Sequence, residues 1–317
     1  MMIYFGIRIS DFGTVLDVGF RIADFGFRWV PSLESYRNLK SQIDMTYFAF
    51  LCTFIVPPIL ILAGVAWWDD RRGRRLPEGL RGWPAWIVLL AHVVVAVLYT
   101  TPWDNYLVAT QVWWYDPKLV AGWLIGWVPI EEYSFFVLQT ILTSLWIWFL
   151  ARRLRPPTSS VASPMAQRFR WAMFGFCSVL WGISVVLWLS HWHNIQYLSI
   201  TLTWALLPVM LQFGFGGDIL WKQRKLVFWS LLVPTLYLSL VDALAIDAGT
   251  WTIAPDQSTQ LLIGSLPLEE GVFFFVTNLL IVLGTVLVLA KESQARAPAL
   301  LQNLQRRLTD SSPAAHP

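Results

Sequence analysis

The octapeptide Pro129-Ile130-Glu131-Glu132-Tyr133-Ser134-Phe135-Phe136 returns as Pro267-Leu268-Glu269-Glu270-Gly271-Val272-Phe273-Phe274. Each copy puts two adjacent carboxylates at the head of a long apolar run. An ionised side chain is expensive there and is retained for chemistry or transport. Proximity to a helix N-terminus favours the anion, whereas burial and the neighbouring like charge favour the neutral acid. In an apolar pocket the second pair of effects should prevail for at least one member of each pair. That gives an acid able to donate a proton at neutral pH and take one back. Successive helix positions point about 100° apart, so one carboxylate of a pair can face a central cavity while its neighbour meets another helix. The competing reading is that the glutamates bond to backbone or basic groups and fix helix packing.

Other residues can serve the same chemistry. Asp104 and Asp242 stand at the outer ends of the second and sixth apolar spans, within reach of the glutamate level. There they can orient a glutamate, relay protons or cap a loop. Phe135, Phe136, Phe273, Phe274 and Phe275 follow the glutamates by three to six positions, partly on the same helix face. Their π faces can stabilise a carbocation without supplying a nucleophile that would quench it. Most of the 20 tryptophans lie near span ends, as an interfacial aromatic belt requires; Trp113 and Trp251 recur as a pair near the carboxylates. His191 and His193 sit two apart, off a common helix face, and His92 is alone in its span, so no metal site is expected. Cys52 and Cys177 lie in apolar runs without a CxxC spacing and read as buried small hydrophobes. No GxGxxG follows a strand, so a flavin or nicotinamide cofactor is not expected.

The elements that position these groups follow from composition. The chain is 56% hydrophobic and 14% charged, with mean hydropathy +0.54, against about 25% charged in soluble domains. The expected fold class is an all-α polytopic membrane protein with about seven transmembrane helices. The expected spans are 46–68, 84–101, 123–150, 171–190, 195–220, 226–244 and 264–290. Basic clusters follow the first, third, fifth and seventh, while the opposite loops carry Asp104, Asp116, Asp247 and Asp256. By the positive-inside rule the basic clusters are cytoplasmic and both Glu pairs lie in the outer half. The expected location is the cell membrane, with lipid as a partner and no nucleic acid. Residues 1–44 carry charges of both signs and lack the apolar core of a signal peptide. They are expected to be a dispensable or mis-assigned extension, with the functional chain starting near Met45. Residues 292–317 read as a cytoplasmic tail.

The two octapeptides belong to a longer repeat. Asp104 and Asp242, Trp113 and Trp251, Pro117 and Pro255, Gly126 and Gly264, and Glu131 and Glu269 are all 138 residues apart. Upstream, Tyr47 and Tyr197, Pro58 and Pro208, and Arg74 and Arg224 are 150 apart. Each repeat, 45–155 and 195–291, therefore holds three spans, and 156–194 carries a fourth that joins them. One joining helix leaves both repeats in the same orientation, related by an axis along the membrane normal.

The doubled P-x-E-E-x-x-F motif, the upstream Pro102-Trp103-Asp104-Asn105 and its Asp242 partner resemble the membrane-integral carotenoid cyclases over about residues 45–291. In that family lycopene cyclase is either two small three-span polypeptides or one fused chain, and this chain resembles the fused form. The resemblance implies a flavin-independent lycopene β-cyclase, an isomerase that closes the linear ψ end groups of lycopene and γ-carotene into β rings with no net redox change. It also implies contact with other carotenoid-pathway enzymes. The motif glutamates fall on Glu131, Glu132, Glu269 and Glu270, with motif aromatics at Phe135 and Phe273. Glu131→Gln and Glu269→Gln are each expected to remove most cyclisation. Gly271 in place of Tyr133 makes the two copies chemically unequal, so one half is expected to bind more than it catalyses. The readings that compete are a cyclase or hydratase for C50 end groups and a small-solute transporter with the same layout of three spans, one and three.

Overall fold

The computed structural model describes residues 45–157 and 160–297; the expectations for 1–44 and for the tail beyond 297 lie outside the described residues. The chain is an all-α polytopic membrane protein. Among the described residues seven helices are long and apolar enough to cross a bilayer: α1 (Tyr47–Arg71), α2 (Ala85–Ala109), α3 (Ile130–Ala151), α4 (Pro164–Leu189), α5 (Gln196–Lys222), α6 (Arg224–Ala248) and α7 (Leu268–Leu289). The motif helices α3 and α7 are the most buried, which makes them the central pair. The joining helix α4 lies against α5, where the Trp181 indole donates to the Thr203 carbonyl at 3.0 Å.

Several boundaries differ from the sequence reading; the fourth span, for one, begins at Pro164 rather than 171. The third and seventh spans begin at Ile130 and Leu268, because the apolar residues before them form hairpins. Strands β2 (Leu124–Ile125) and β3 (Val128–Pro129) pair, as do β5 (Leu262–Ile263) and β6 (Leu266–Pro267). Gly126 and Gly264 open the turns at φ 70° and 68°, as a two-residue turn with glycine in its first central position requires. Pro129 and Pro267 then sit in extended backbone as the residues just before each helix. The second span also runs further than expected, through Pro102 to Ala109, and α6 continues to Ala248. Asp104 and Asp242 are therefore buried helical residues rather than loop caps.

Several contacts join residues that are equivalent in the sequence repeat. Strand β1 (Trp113–Tyr115) pairs antiparallel with β4 (Trp251–Ile253), with Trp114 directly opposite its own repeat equivalent, Thr252. Deeper in the interior Gln139 of α3 donates to Thr277 of α7 at 2.9 Å, again a pair of equivalents. Proline supplies a third match. Pro58 has no N–H to give the Phe54 carbonyl four residues back, and that carbonyl accepts the Tyr237 hydroxyl at 2.5 Å. Likewise Pro208 leaves the Trp204 carbonyl to the Tyr99 hydroxyl at 2.8 Å. Each half thus offers a phenol to the carbonyl that a proline has vacated in the other.

At the end of the bundle opposite β1 and β4, buried charges are paired. Arg153 of the α3 terminus reaches Asp69 of α1 at 2.8 Å, and Arg296 reaches Asp218 of α5 at 2.5 Å. Cys177 is buried as expected, but Cys52 is exposed on the outer face of α1. Phe275, grouped above with the rings near the carboxylates, also points outward at 45% exposure.

Candidate active site

The first turns of α3 and α7 divide the labour within each Glu pair. Glu132 and Glu270 open into one small cavity of about 50 Å³ that both halves line. Glu131 and Glu269 turn the other way, each accepting a backbone N–H from the loop ahead of its hairpin: Ala121 at 2.6 Å and Thr259 at 2.6 Å. The second oxygens of Glu131 and Glu269 are buried without a hydrogen-bond partner. The sequence reading gave all four glutamates to acid–base work; the geometry gives one of each pair to the cavity and the other to a loop.

Around the cavity the halves are similar but unequal. Tyr47 of α1 donates to Glu132 at 2.7 Å, and its equivalent Tyr197 of α5 donates to Glu270 at 2.8 Å. Glu132 also accepts the Tyr115 hydroxyl at 3.1 Å, on the same oxygen. The equivalent of Tyr115 is Ile253, so Glu270 has one phenol where Glu132 has two. This substitution propagates to the indoles. Trp113 donates to the Tyr115 oxygen at 3.2 Å, whereas Trp251 has Ile253 in place of that phenol. Asp104 is left with both oxygens buried and unbonded, but one oxygen of Asp242 alone is in that state. Burial, and after it the charge of Glu132, hold the Tyr115 phenol well above its ordinary pKa, so it remains a proton-bearing donor.

Of the other residues that the sequence reading placed at the site, Asp242, Trp113, Trp251, Phe135, Phe273 and Phe274 line the cavity. Asp104 is buried beside it rather than in its wall, and Phe136 faces a second, larger cavity that Phe273 also lines. The Tyr133/Gly271 difference has a cause outside the acid site. Tyr133 donates to the Ile125 carbonyl at 3.0 Å and accepts from Asn105 at 3.0 Å, while Asn105 takes the Trp127 N–H at 2.8 Å. These bonds pin the β2–β3 hairpin to α2. The second half lacks both partners together, with Ala243 at the asparagine position and Gly271 at the tyrosine. Unequal as the two copies are, Glu132 and Glu270 line one and the same cavity.

Tyr47, Tyr197 and Tyr115 were not picked out as site residues. The first two were legible as a phenol recurring in register; Tyr115 has no counterpart and no motif to reveal it. Chemically, the cavity offers proton donors and acceptors, aromatic faces and no lysine or arginine among its lining residues. That suits proton transfer to and from an uncharged apolar molecule, with π faces ready for a transient cation.

A family model described as lycopene cyclase matches residues 79–150 and 194–288, one Glu pair falling in each segment. A lycopene beta-cyclase of Halobacterium salinarum is 38% identical over 245 residues, covering 76% of this chain and 95% of that protein. A bifunctional lycopene cyclase/phytoene synthase of Podospora anserina is 38% identical over 204 residues, 61% of this chain but 33% of that protein. The similar bifunctional protein of Aspergillus oryzae is 34% identical, matched over 34% of its length. No solved structure matches the chain.

Proposed function

The chain belongs to the lycopene cyclase family, and from that premise we propose that it is a lycopene β-cyclase, an isomerase of the intramolecular lyase kind. The observation that carries this reading is the convergence of Glu132 and Glu270, from the two halves, on one aromatic-walled cavity. The reaction moves a proton in and a proton out. An acid adds H⁺ to the terminal C=C of the ψ end, and the tertiary cation left behind is captured by the neighbouring alkene, closing a six-membered ring. A base then takes a ring proton and leaves the β double bond. No atoms or electrons are gained overall, so the chain's own carboxyl groups suffice for the proton traffic.

The hydrogen bonds suggest which group does what. Glu270, adjoining Asp242 in the cavity wall, is the donor. Glu132, with two phenols on one oxygen, is the acceptor of the ring proton. The aromatic faces of Phe135, Phe273, Phe274, Trp113 and Trp251 shelter the cation. Glu131 and Glu269 are positioning residues that fix the helix starts against their loops, and Asp104 supports the proton inventory from behind Glu132.

The domain reading goes with this: repeats 45–155 and 195–291 around a joining segment 156–194, parallel in a cell membrane with their basic ends in the cytoplasm. It is supported by the equivalents that face each other at Trp114/Thr252 and Gln139/Thr277. The substrate is a water-insoluble polyene, which accounts for a site inside the bilayer. Expression in cells that accumulate lycopene tests the proposal. The cells should turn from red to orange-yellow, the product should have the mass of lycopene, and in D₂O each ring should carry one solvent deuterium. Unchanged pigment, or rings closed without deuterium, overturns it.

A further inference from the structure

The acid cavity holds about 50 Å³, room for little more than a water molecule or two. Against its wall lies a cavity of about 700 Å³, and Phe273 lines both. Phe273 is backed by Trp103, stacked parallel at 5.5 Å between centroids. One aromatic layer therefore separates the carboxyl groups from the larger space. That space follows α7 from Phe273 to Val288, fifteen residues, or about 22 Å at 1.5 Å each. Its walls come from α2 and α5. Val95 and Leu211, in its lining, are 62% and 59% exposed, so it opens sideways toward the bilayer between those helices.

The repeat differs at this groove. In the first half Trp146 of α3 donates its indole N–H to the Trp229 carbonyl of α6 at 3.1 Å. The equivalents of Trp146 and Trp229 are Gly284 and Ala91, and both line the groove. Two tryptophans of the first half thus correspond to the two smallest residues in the second, and the groove these line reaches the Phe273 partition in front of the acids. A Cβ at Gly284 would stand 2.6 Å from His92 Nε2, so the glycine is what lets the far wall approach. His92 and Gln212, the polar residues there, are tied to the carbonyls of Val88 at 2.8 Å and Leu280 at 3.1 Å. Gln212 leaves its amide oxygen, and Ser293 at the far end its hydroxyl, buried without a hydrogen-bond partner.

We propose that this groove holds the polyene chain of the substrate, whose reacting tip passes the Phe273–Trp103 partition to reach Glu132 and Glu270. The inference rests on the cyclase reading and extends it. A long conjugated chain is stiff and apolar; only its tip has business in a cavity of that size, and the remainder needs a straight, apolar trough leading to it. The groove ends at the aromatic wall it shares with the acid cavity, it runs most of the hydrocarbon thickness of about 30 Å, and its lateral opening admits a molecule dissolved in lipid. A phospholipid acyl chain is the rival occupant.

Two plugs test the proposal: Gly284→Trp, which copies the first half, and Ala96→Trp on the opposite wall. Leu236→Trp, on the exposed side of α6, is the control. Purified unmodified protein and variants are given lycopene and, separately, a polyene of about half the length with one ψ end. Each plug should lower kcat/KM for lycopene at least about tenfold while leaving the short polyene within about threefold of the unmodified enzyme. The control should change neither. In a Glu270→Gln background, expressed in lycopene-accumulating cells, carotenoid should co-purify with the protein and be lost when Ala96→Trp is added. Folded plugs that turn over lycopene normally, or lose both substrates alike, overturn the proposal. So does loss of phospholipid with carotenoid retained, which assigns the groove to an acyl chain. If the unmodified protein converts neither polyene, the cyclase reading itself has failed.

Discussion

The sharpest test of the site separates the two glutamates within each motif. Glu131 and Glu269 each accept one backbone N–H at 2.6 Å. Glutamine keeps a carbonyl oxygen for that bond, so what is lost is the charge assistance, about 1 kcal/mol. Its amide group then lies where the glutamate's second oxygen is buried without a partner, which adds about 1–3 kcal/mol of destabilisation. Glu131→Gln and Glu269→Gln should therefore lower the melting temperature but leave kcat within about tenfold of normal. Glu132→Gln and Glu270→Gln keep most of the phenol contacts yet can neither give nor take the reaction's proton. Their loss should be about 10²–10⁴-fold in kcat, or roughly 3–5 kcal/mol on the barrier. The assay is conversion of lycopene by equal amounts of purified protein, read by chromatography, with melting curves alongside. Either inner variant, Glu132→Gln or Glu270→Gln, retaining more than about a tenth of the rate would refute the division of roles. So would outer variants that lose as much rate with unshifted melting.

Two further outcomes follow from the same geometry. Tyr115→Phe removes one of two phenol bonds to Glu132 and should cost about 1.5 kcal/mol, near tenfold in kcat, with folding intact. Because that phenol's pKa stands well above its ordinary value, the alkaline limb of the rate profile should be the same in enzyme and variant; a limb that moves would assign the titration to Tyr115. Gly126→Ala and Gly264→Ala both force a side chain to positive φ, but only the first also drives a Cβ into Asn105. Both should destabilise by about 1 kcal/mol or more in thermal melts, Gly126→Ala by the larger amount; equal shifts would show that the Asn105 contact relaxes freely.

Much of the fold was legible because its signals are periodic and repeated. Long apolar runs mark spans whatever their neighbours, and the 138-residue register placed Glu, Asp and Trp in matching positions before any coordinates. The hairpins were not legible: Leu124, Ile125 and Val128 are as apolar as a helix start, and only the glycine φ at 126 reveals a turn. Pro102 suggested an early end to α2, yet a proline inside a transmembrane helix is tolerated when other groups take up the freed carbonyl. That placed Asp104 in the interior. The hardest feature to foresee was the difference between the halves. A register search finds what recurs, so Tyr115 opposite Ile253, or Trp146 opposite Gly284, passes as ordinary variation between apolar residues.

Those differences are where the chemistry resides. Residues kept in both halves, the prolines with their crossed phenols and the outer glutamates on loop amides, build a frame with matched sides. Two matched carboxyl groups can already share one proton through their mutual repulsion, but with the same partners on both sides nothing would fix which of them holds it. Tyr115 breaks the tie on one side by adding a second donor to Glu132 and by accepting the Trp113 indole. Gly284 and Ala91 break it again by lining the trough where the first half carries Trp146 and Trp229. Both asymmetries bear on one cavity, so the cyclase proposed here is expected to take the two ends of a symmetric substrate in turn. The lateral opening between α2 and α5 is then the place where the bilayer can receive a half-cyclised molecule before it re-enters reversed.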